Sequence, residues 1–202
     1  MKGHRWFAAT YDFINQWGEA RLLRPLRQRI VAGAVGQVLE IGVGTGACFP
    51  YHKAAERVIA TEPDPFMLPR ARKRARELRL NVELVQCPAE ALPFADASFD
   101  SAVCALVLCT VVDPVRTLAE IKRVLKPGGN LRFIEHVRFE GTRGQIQDAI
   151  VPVWSWVGAG CHPNRRTAEA IAAAGFEMVE LEREHTALLP IISGVAVAPM
   201  SR

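Results

Sequence analysis

Two features in the first third of the chain have the residue types and spacing of a ligand-binding site. Residues 40–46 read Glu-Ile-Gly-Val-Gly-Thr-Gly, and an acidic residue, Glu62, follows the next apolar run. Gly42, Gly44 and Gly46 allow tight turns and a close approach of the backbone to a ligand. Because these glycines also fit a relaxed dinucleotide pattern with an acid for the ribose, NAD is one candidate ligand. A tight glycine turn that binds nothing is the alternative.

The candidate for proton chemistry is His136, which follows Glu135 at the end of an apolar run. An imidazole there could take a proton from an acceptor or orient it, and a structural histidine fits the position equally well. The five cysteines form no CxxC pair and are odd in number, which is typical of reduced thiols that lie mostly in a core. His162 follows Cys161, but no ligand set with metal-like spacing surrounds the pair, so we predict no metal site.

Alternating strands and helices are predicted to position these residues. Apolar or β-branched runs predict strands at 38–43, 57–62, 81–87, 99–108, 130–137, 176–182 and 193–199, with helices within 63–79 and at 114–125 and 167–174. This alternation predicts a doubly wound, Rossmann-like α/β fold with a seven-stranded sheet, mostly parallel with an antiparallel last strand. Open sheets of this kind bind ligands at the carboxyl ends of their strands. No pattern assigns residues 138–166.

The composition is that of one globular domain. Of 202 residues, 50% are hydrophobic and 23% are charged. We expect a cytoplasmic protein, since no run of about 20 apolar residues and no signal peptide is apparent. Residues 1–36 hold six basic and two acidic residues, which equals the whole net charge of +4. This excess could be a solvated helix face or a contact with an acidic membrane surface, and no basic stripe with interleaved aromatics suggests nucleic acid.

Several short motifs occur together in a characteristic order. They are Glu40–Gly46, Thr61-Glu-Pro-Asp-Pro, Ala89-Glu-Ala-Leu-Pro-Phe, Ser98-Phe-Asp and Arg123-Val-Leu-Lys-Pro-Gly-Gly. As an ordered set over about residues 36–137, they resemble the class I methyltransferases that use S-adenosylmethionine (SAM). A dehydrogenase would also need a substrate domain, for which the chain leaves little room.

The resemblance implies a role for each residue around the cofactor. The glycines would approach the methionine and ribose parts of SAM, Glu40 would favour its ammonium group, and Glu62 would accept hydrogen bonds from both ribose hydroxyls. Along the adenine, the resemblance places Pro63, Met67, Ala89 and Glu90, and beneath the methionine it places Ala105. Many relatives carry an Asp where this chain has Pro88, so Glu90 or a water would have to accept from the adenine amino group.

The resemblance also divides the chain into functional parts. Residues 1–35 would be a helical lid that carries Tyr11 as a second catalytic candidate beside His136. Residues 36–137 would bind SAM, and 138–202 would be the acceptor side with the closing strands. The expected product is S-adenosylhomocysteine, and the expected assembly is a monomer or homodimer.

The acceptor is predicted from a narrower likeness. Val103–Val111, Phe133–Val137 and Gly160-Cys161 followed by Arg165 resemble the methyltransferase-like alkyl-thiol S-methyltransferases. Those proteins carry an apolar N-terminal anchor, and we expect no counterpart of it in this chain. N-methylation of a phospholipid head group and C-methylation of a quinone precursor are alternatives within the family. A SAM-binding module without catalysis is the alternative of another class. We expect Trp154 or Trp156 to line an apolar acceptor pocket with His136 and Arg165.

Overall fold

The computed structural model describes residues 22–184, 186 and 189–200, which form a seven-stranded sheet covered by helices. The strands are β1 (Gly36–Ile41), β2 (Ala55–Thr61), β3 (Val82–Val85), β4 (Phe99–Ala105), β5 (Leu125–His136), β6 (Glu177–Glu184) and β7 (Ile191–Val197). The helices are α1 (Arg24–Ile30), α2 (Leu68–Glu77), α3 (Pro114–Val124), α4 (Gly141–Val157) and α5 (Thr167–Ala173).

The strand order is β3-β2-β1-β4-β5-β7-β6, with β7 antiparallel to both of its neighbours and the other pairs parallel. Buried residues alternate along the strands, so that Val38 packs on one face of the sheet and Leu39 on the other. Burial on both faces explains why most side chains of β1 and β4 are apolar. The predicted fold class is confirmed.

The order of the strands brings the candidate residues to one edge. β1 and β4 are neighbours in the middle of the sheet, with Ile41 paired to Cys104. β4 then pairs with β5 as far as Ala105 and Ile134, two residues before His136. The loops after β1, β2 and β4 and the end of β5 therefore meet at the carboxyl edge, as the motif positions predicted.

Two segments differ from the sequence prediction. β5 begins at Leu125 rather than 130, and its register with β4 jumps from Leu125 to Asn130, so residues 126–129 bulge out of the pairing. The unassigned stretch 138–166 contains the long helix α4. Its buried positions are Gly144, Gln147 and Val151, which share one helical face without forming an apolar stripe. The periodicity on which a sequence prediction depends is therefore missing.

The helix before the sheet is held by packing as well as by charge. Leu26 and Ile30 of α1 are buried against Ile134 and Ile191. Arg27 is buried and donates to Cys48 Sγ at 2.9 Å, while Arg29 bonds Ser193 Oγ at 2.8 Å and pairs with Glu182. The apolar and basic side chains at positions 26–30, one basis for expecting membrane contact, thus have partners within the domain. In the described part of the chain, no helix is long and apolar enough to cross a bilayer.

Candidate functional site

The glycine-rich loop after β1 is shaped by close approaches. Gly42 has a φ of +61°, and a Cβ there would lie 2.8 Å from Cγ2 of Val107, the second residue beyond β4. Gly44 has a φ of +56°, and among the described residues no atom outside Gly44 and its two chain neighbours lies within 4 Å of the position a Cβ would occupy. Gly42 therefore allows the two loops to touch, whereas Gly44 leaves open space beside the backbone. An open backbone at this edge fits the cofactor approach that the motif predicted.

Glu62 directly follows β2 and turns its carboxylate towards the glycine loop. Oε2 accepts a hydrogen bond from the Gly44 N–H at 2.7 Å, and Oε1 accepts one from the Asp64 N–H at 2.9 Å. Burial raises the pKa of Glu62, and the two N–H donors act against that shift. Each carboxylate oxygen has a second lone pair, so Glu62 can still accept from two ligand hydroxyls.

Glu40 is buried in β1 and paired with a residue that the sequence analysis did not single out. Its Oε2 lies 2.7 Å from Nε2 of His52, and both side chains are almost inaccessible. Among the described residues, none partners the buried Nδ1 of His52. The expected contact between Glu40 and an ammonium group stays a prediction, and the carboxylate would have to be shared with His52.

The predicted adenine edge borders a cleft of about 640 Å³. Its lining comprises Pro63, Pro65, Gln86, Cys87, Pro88, Glu90, Val112, Asp113 and Arg116. Met67 and Ala89 are buried and are not among the residues that line this cleft, so their contact with adenine stays a prediction. The carboxylate of Glu90 already has partners within the protein, because its Oε1 accepts from the N–H groups of Val112 at 2.9 Å and Asp113 at 3.3 Å.

Gln86 is a residue of this cleft that sequence reasoning missed. Its Nε2 donates to the carbonyl oxygen of Pro63 at 3.3 Å, and its amide oxygen is an acceptor of the kind that Pro88 lacks. The only signal in the sequence was a polar residue at the end of a strand. Gln86 and Glu90 are therefore the two candidates to accept from the adenine amino group in place of the Asp that many relatives carry at the position of Pro88.

The turn after β4 is anchored by Glu135. Leu106, next to the predicted contact residue Ala105, has a φ of +64°, and such strain is tolerated where surrounding contacts fix the backbone. The fully buried Glu135 carboxylate accepts from the N–H groups of the next three residues, 107–109, at 2.9, 2.9 and 3.1 Å. Burial raises the pKa of Glu135, and these three donors oppose the shift. A charged residue inside an apolar strand was the sequence signal for this role.

His136 lies between two thiols that are remote from each other in sequence. Its Nδ1 is 3.9 Å from Sγ of Cys109 and 3.7 Å from Sγ of Cys161, and the two sulfurs are 3.7 Å apart. The contact with Cys161 raises the pKa of Cys109 to about 12, and the same contact lowers the pKa of Cys161. Although burial disfavours its charged form, the neighbouring Cys109 and Glu135 raise the pKa of His136. All five cysteines lie in the described residues, and none forms a disulfide.

The two tryptophans of α4 have different surroundings. Trp156 is 84% exposed, whereas Trp154 is 38% exposed and its indole interacts with the thiol of Cys161. Arg165 donates to the carbonyl oxygens of Leu108 at 2.5 Å and Val111 at 2.7 Å, so it holds the turn that carries Cys109. Trp154 therefore contacts Cys161, which in turn lies next to His136. Arg165 supports this group indirectly, because it stabilises the turn that carries Cys109. Tyr11, the other catalytic candidate, lies outside the described residues.

Known proteins resemble this chain in sequence. Residues 39–133 match the methyltransferase domain family. The chain is 36% identical over 179 residues to thiol S-methyltransferase TMT1B of Homo sapiens, covering 83% of this chain and 73% of that protein. It spans 62% of the length of the Rattus norvegicus counterpart. A phosphatidylethanolamine N-methyltransferase of Cereibacter sphaeroides is 34% identical over 150 residues, which is 72% of each protein.

Solved structures extend the likeness to the three-dimensional arrangement. A geranyl diphosphate methyltransferase in complex with SAM superposes with a TM-score of 0.72 at 16% identity, covering 89% of this chain and 86% of that one. At such low identity the agreement concerns the fold, which is the one described above.

Proposed function

The chain belongs to the class I SAM-dependent methyltransferases, and from this premise we propose that it methylates the sulfur of a small, apolar thiol. The observation that carries the proposal is the 36% identity with a thiol S-methyltransferase over 83% of the chain. SAM is the methyl donor of the enzyme, and the NAD alternative and the module without catalysis are set aside with that membership. The acceptor is the new part of the proposal.

The cofactor would be held by groups that the glycine loop and Glu62 already present. Gly44 offers open backbone, and Glu62 has two lone pairs left for the ribose hydroxyls. SAM bound there supplies a methyl group on a positively charged sulfur, which makes the carbon electrophilic. The chain positions the acceptor against that carbon, and positioning alone can supply much of the rate of an in-line displacement.

Replacing Glu62 by Ala is expected to weaken SAM binding by roughly 1.5–3 kcal/mol, the scale for hydrogen bonds to a charged group. This corresponds to about 10- to 150-fold in Kd. The variant would lose the ribose contacts and the hydrogen bond that holds Gly44. Titration calorimetry with SAM measures the effect, and Glu56→Ala, which removes an exposed carboxylate of the preceding strand β2, should leave the affinity unchanged. Wild-type affinity in the Glu62 variant would contradict the assignment.

A thiol suits the chemistry of the acceptor side. With a pKa of about 8.5, a thiol is partly ionised near neutral pH, so its methylation does not require a strong base. His136 would orient the sulfur or accept its proton. The indole of Trp154 beside Cys161 would give the pocket an apolar wall. Incubation with labelled SAM and a panel of alkyl thiols, amines and quinols tests the proposal, and turnover of amines or quinols alone would refute it.

Replacing Trp154 by Ala is expected to lower kcat/KM for an alkyl thiol about tenfold or more, the scale for losing an apolar contact in a substrate pocket. The affinity for SAM should stay the same, because the indole lies on the acceptor side. Trp156→Ala is the matched control on the same helix, since this side chain is mostly exposed. Equal kinetics for the two variants would remove Trp154 from the acceptor pocket.

The lid expected over residues 1–35 is also a proposal. Leu22 and Leu23 pack in one cluster with Ala105, Leu106 and Ile134. The chain therefore enters α1 beside the residues that should lie beneath the methionine part of SAM. The rest of the predicted lid, residues 1–21, lies outside the described residues, and its proposed role is to exclude water from the reacting atoms.

A further inference from the structure

Three side chains next to the acceptor side have the types and distances of a zinc site. Cys109, His136 and Cys161 each offer one ligand atom, and these atoms all lie within 4.8 Å of one another. They come from the turn after β4, the end of β5 and the segment after α4, so only the fold brings them together. A search for neighbouring ligands along the sequence, which predicted no metal, could not find this group.

The distances agree with tetrahedral coordination. With Zn–S of about 2.3 Å and Zn–N of about 2.0 Å, a tetrahedron separates two sulfurs by about 3.8 Å and sulfur from nitrogen by about 3.5 Å. The observed separations are 3.7 Å between the two sulfurs and 3.7 and 3.9 Å from the sulfurs to Nδ1 of His136. A single ion would therefore fit between the three atoms with little movement. A disulfide would require the sulfurs to approach to about 2.05 Å.

The ligands are held by contacts outside the group. The N–H of Cys109 donates to Glu135 at 3.1 Å, and its carbonyl oxygen accepts from the N–H of His162 at 2.6 Å. Arg165 binds the carbonyl oxygens on either side of Cys109 in the chain, those of Leu108 and Val111. Such outer contacts orient the ligands of metal sites and support their affinity.

We propose that Cys109, His136 and Cys161 bind a zinc ion whose fourth coordination position is taken by the acceptor thiol. Among the described residues, no fourth His, Cys, Asp or Glu joins the group. Three protein ligands with an open position are the arrangement of catalytic rather than structural zinc sites. Cys109 is buried, whereas Cys161 and His136 are partly exposed, so the group is accessible from the side of the latter two.

Zinc would activate the acceptor directly. A thiol that coordinates the ion is deprotonated. Because Nδ1 of His136 would then bind the ion, His136 would orient the sulfur through the metal, and the thiol proton would pass to water. A lone pair of the acceptor sulfur then forms the bond to the methyl carbon, and the electron pair of the broken carbon–sulfur bond stays on S-adenosylhomocysteine. A Cβ on Gly42 would lie 2.8 Å from Val107, so the turn that carries Cys109 packs against the glycine loop. This catalytic part rests on the proposed function, whereas zinc binding does not.

Metal content of the full-length protein tests the binding part. After incubation with zinc and removal of excess ion, we expect about one zinc per chain by mass spectrometry, and Co²⁺ should give the absorption bands of a tetrahedral thiolate site. Cys109→Ser, Cys161→Ser and His136→Ala should each lose more than about tenfold in zinc affinity, at least the effect of removing an outer contact. Cys87→Ala, a thiol outside the group, should keep full occupancy. No bound zinc, a Cys109–Cys161 disulfide, or equal loss in the control would overturn the proposal.

Removal of the ion tests the catalytic part. Chelator-treated enzyme should lose thiol methylation, keep its affinity for SAM in calorimetry, and recover when zinc is added. If thiols are methylated equally with and without zinc, the acceptor is not bound through the ion. If zinc binds but no thiol is methylated under any condition, the proposed function fails and the metal site remains.

Discussion

Replacing Glu135 by Ala is expected to destabilise the domain by about 3 kcal/mol or more. The substitution leaves three buried N–H groups of the turn after β4 without their acceptor, and each such group costs about 1–3 kcal/mol. The variant also creates a cavity in a fully buried position. Because a small domain is stable by only about 5–15 kcal/mol, the loss should appear as a large shift of the denaturation midpoint in urea.

Two further variants make this result specific. Glu135→Gln keeps an oxygen for the N–H groups of Val107 and Leu108 but presents an N–H towards that of Cys109, so its loss should be smaller than that of the Ala variant. Glu169→Ala removes an exposed carboxylate with a surface ion pair and should change stability by less than about 1 kcal/mol. If Glu135→Ala unfolds within 1 kcal/mol of the wild type, the carboxylate does not hold this turn.

Deleting residues 1–18 is expected to abolish methyl transfer while the rest of the chain still unfolds cooperatively. The described part contains the seven-stranded sheet and the packed residues of α1, so these contacts remain without the deleted segment. Turnover should be lost because water reaches the reacting atoms and Tyr11 is absent. Labelled-SAM assays measure activity, and circular dichroism during heating measures folding.

The role of the Tyr11 hydroxyl can be tested separately from the role of the whole deleted segment. Tyr11→Phe keeps the ring and removes the hydroxyl, so it separates a catalytic role of the side chain from closure by the lid. A turnover loss in the Phe variant similar to that of the deletion would place the hydroxyl in the reaction. Full activity of the deleted protein would show that residues 1–18 do not close the site.

The sequence by itself determined the fold and the reaction class. Alternating apolar runs specified strands and helices, because both faces of the central strands are buried and a sheet of this kind permits few topologies. The sequence also indicated where the glycine loop and Glu62 lie, since each follows directly after one of two neighbouring strands. The sequence did not predict the bulge at 126–129 or helix α4, because residues 126–129 lack the pattern of a strand and α4 lacks the apolar stripe of a helix.

Only the tertiary structure decided which polar groups are partners. Glu40 meets His52, Glu90 meets the start of α3, and Glu135 meets the turn after β4, each through contacts that a residue pattern does not encode. The thiols of Cys109 and Cys161 are 52 positions apart in the chain and 3.7 Å apart in space. Spacing along a sequence reports neighbours within one helix, strand or loop, whereas a site at the edge of a parallel sheet is assembled from the ends of several strands.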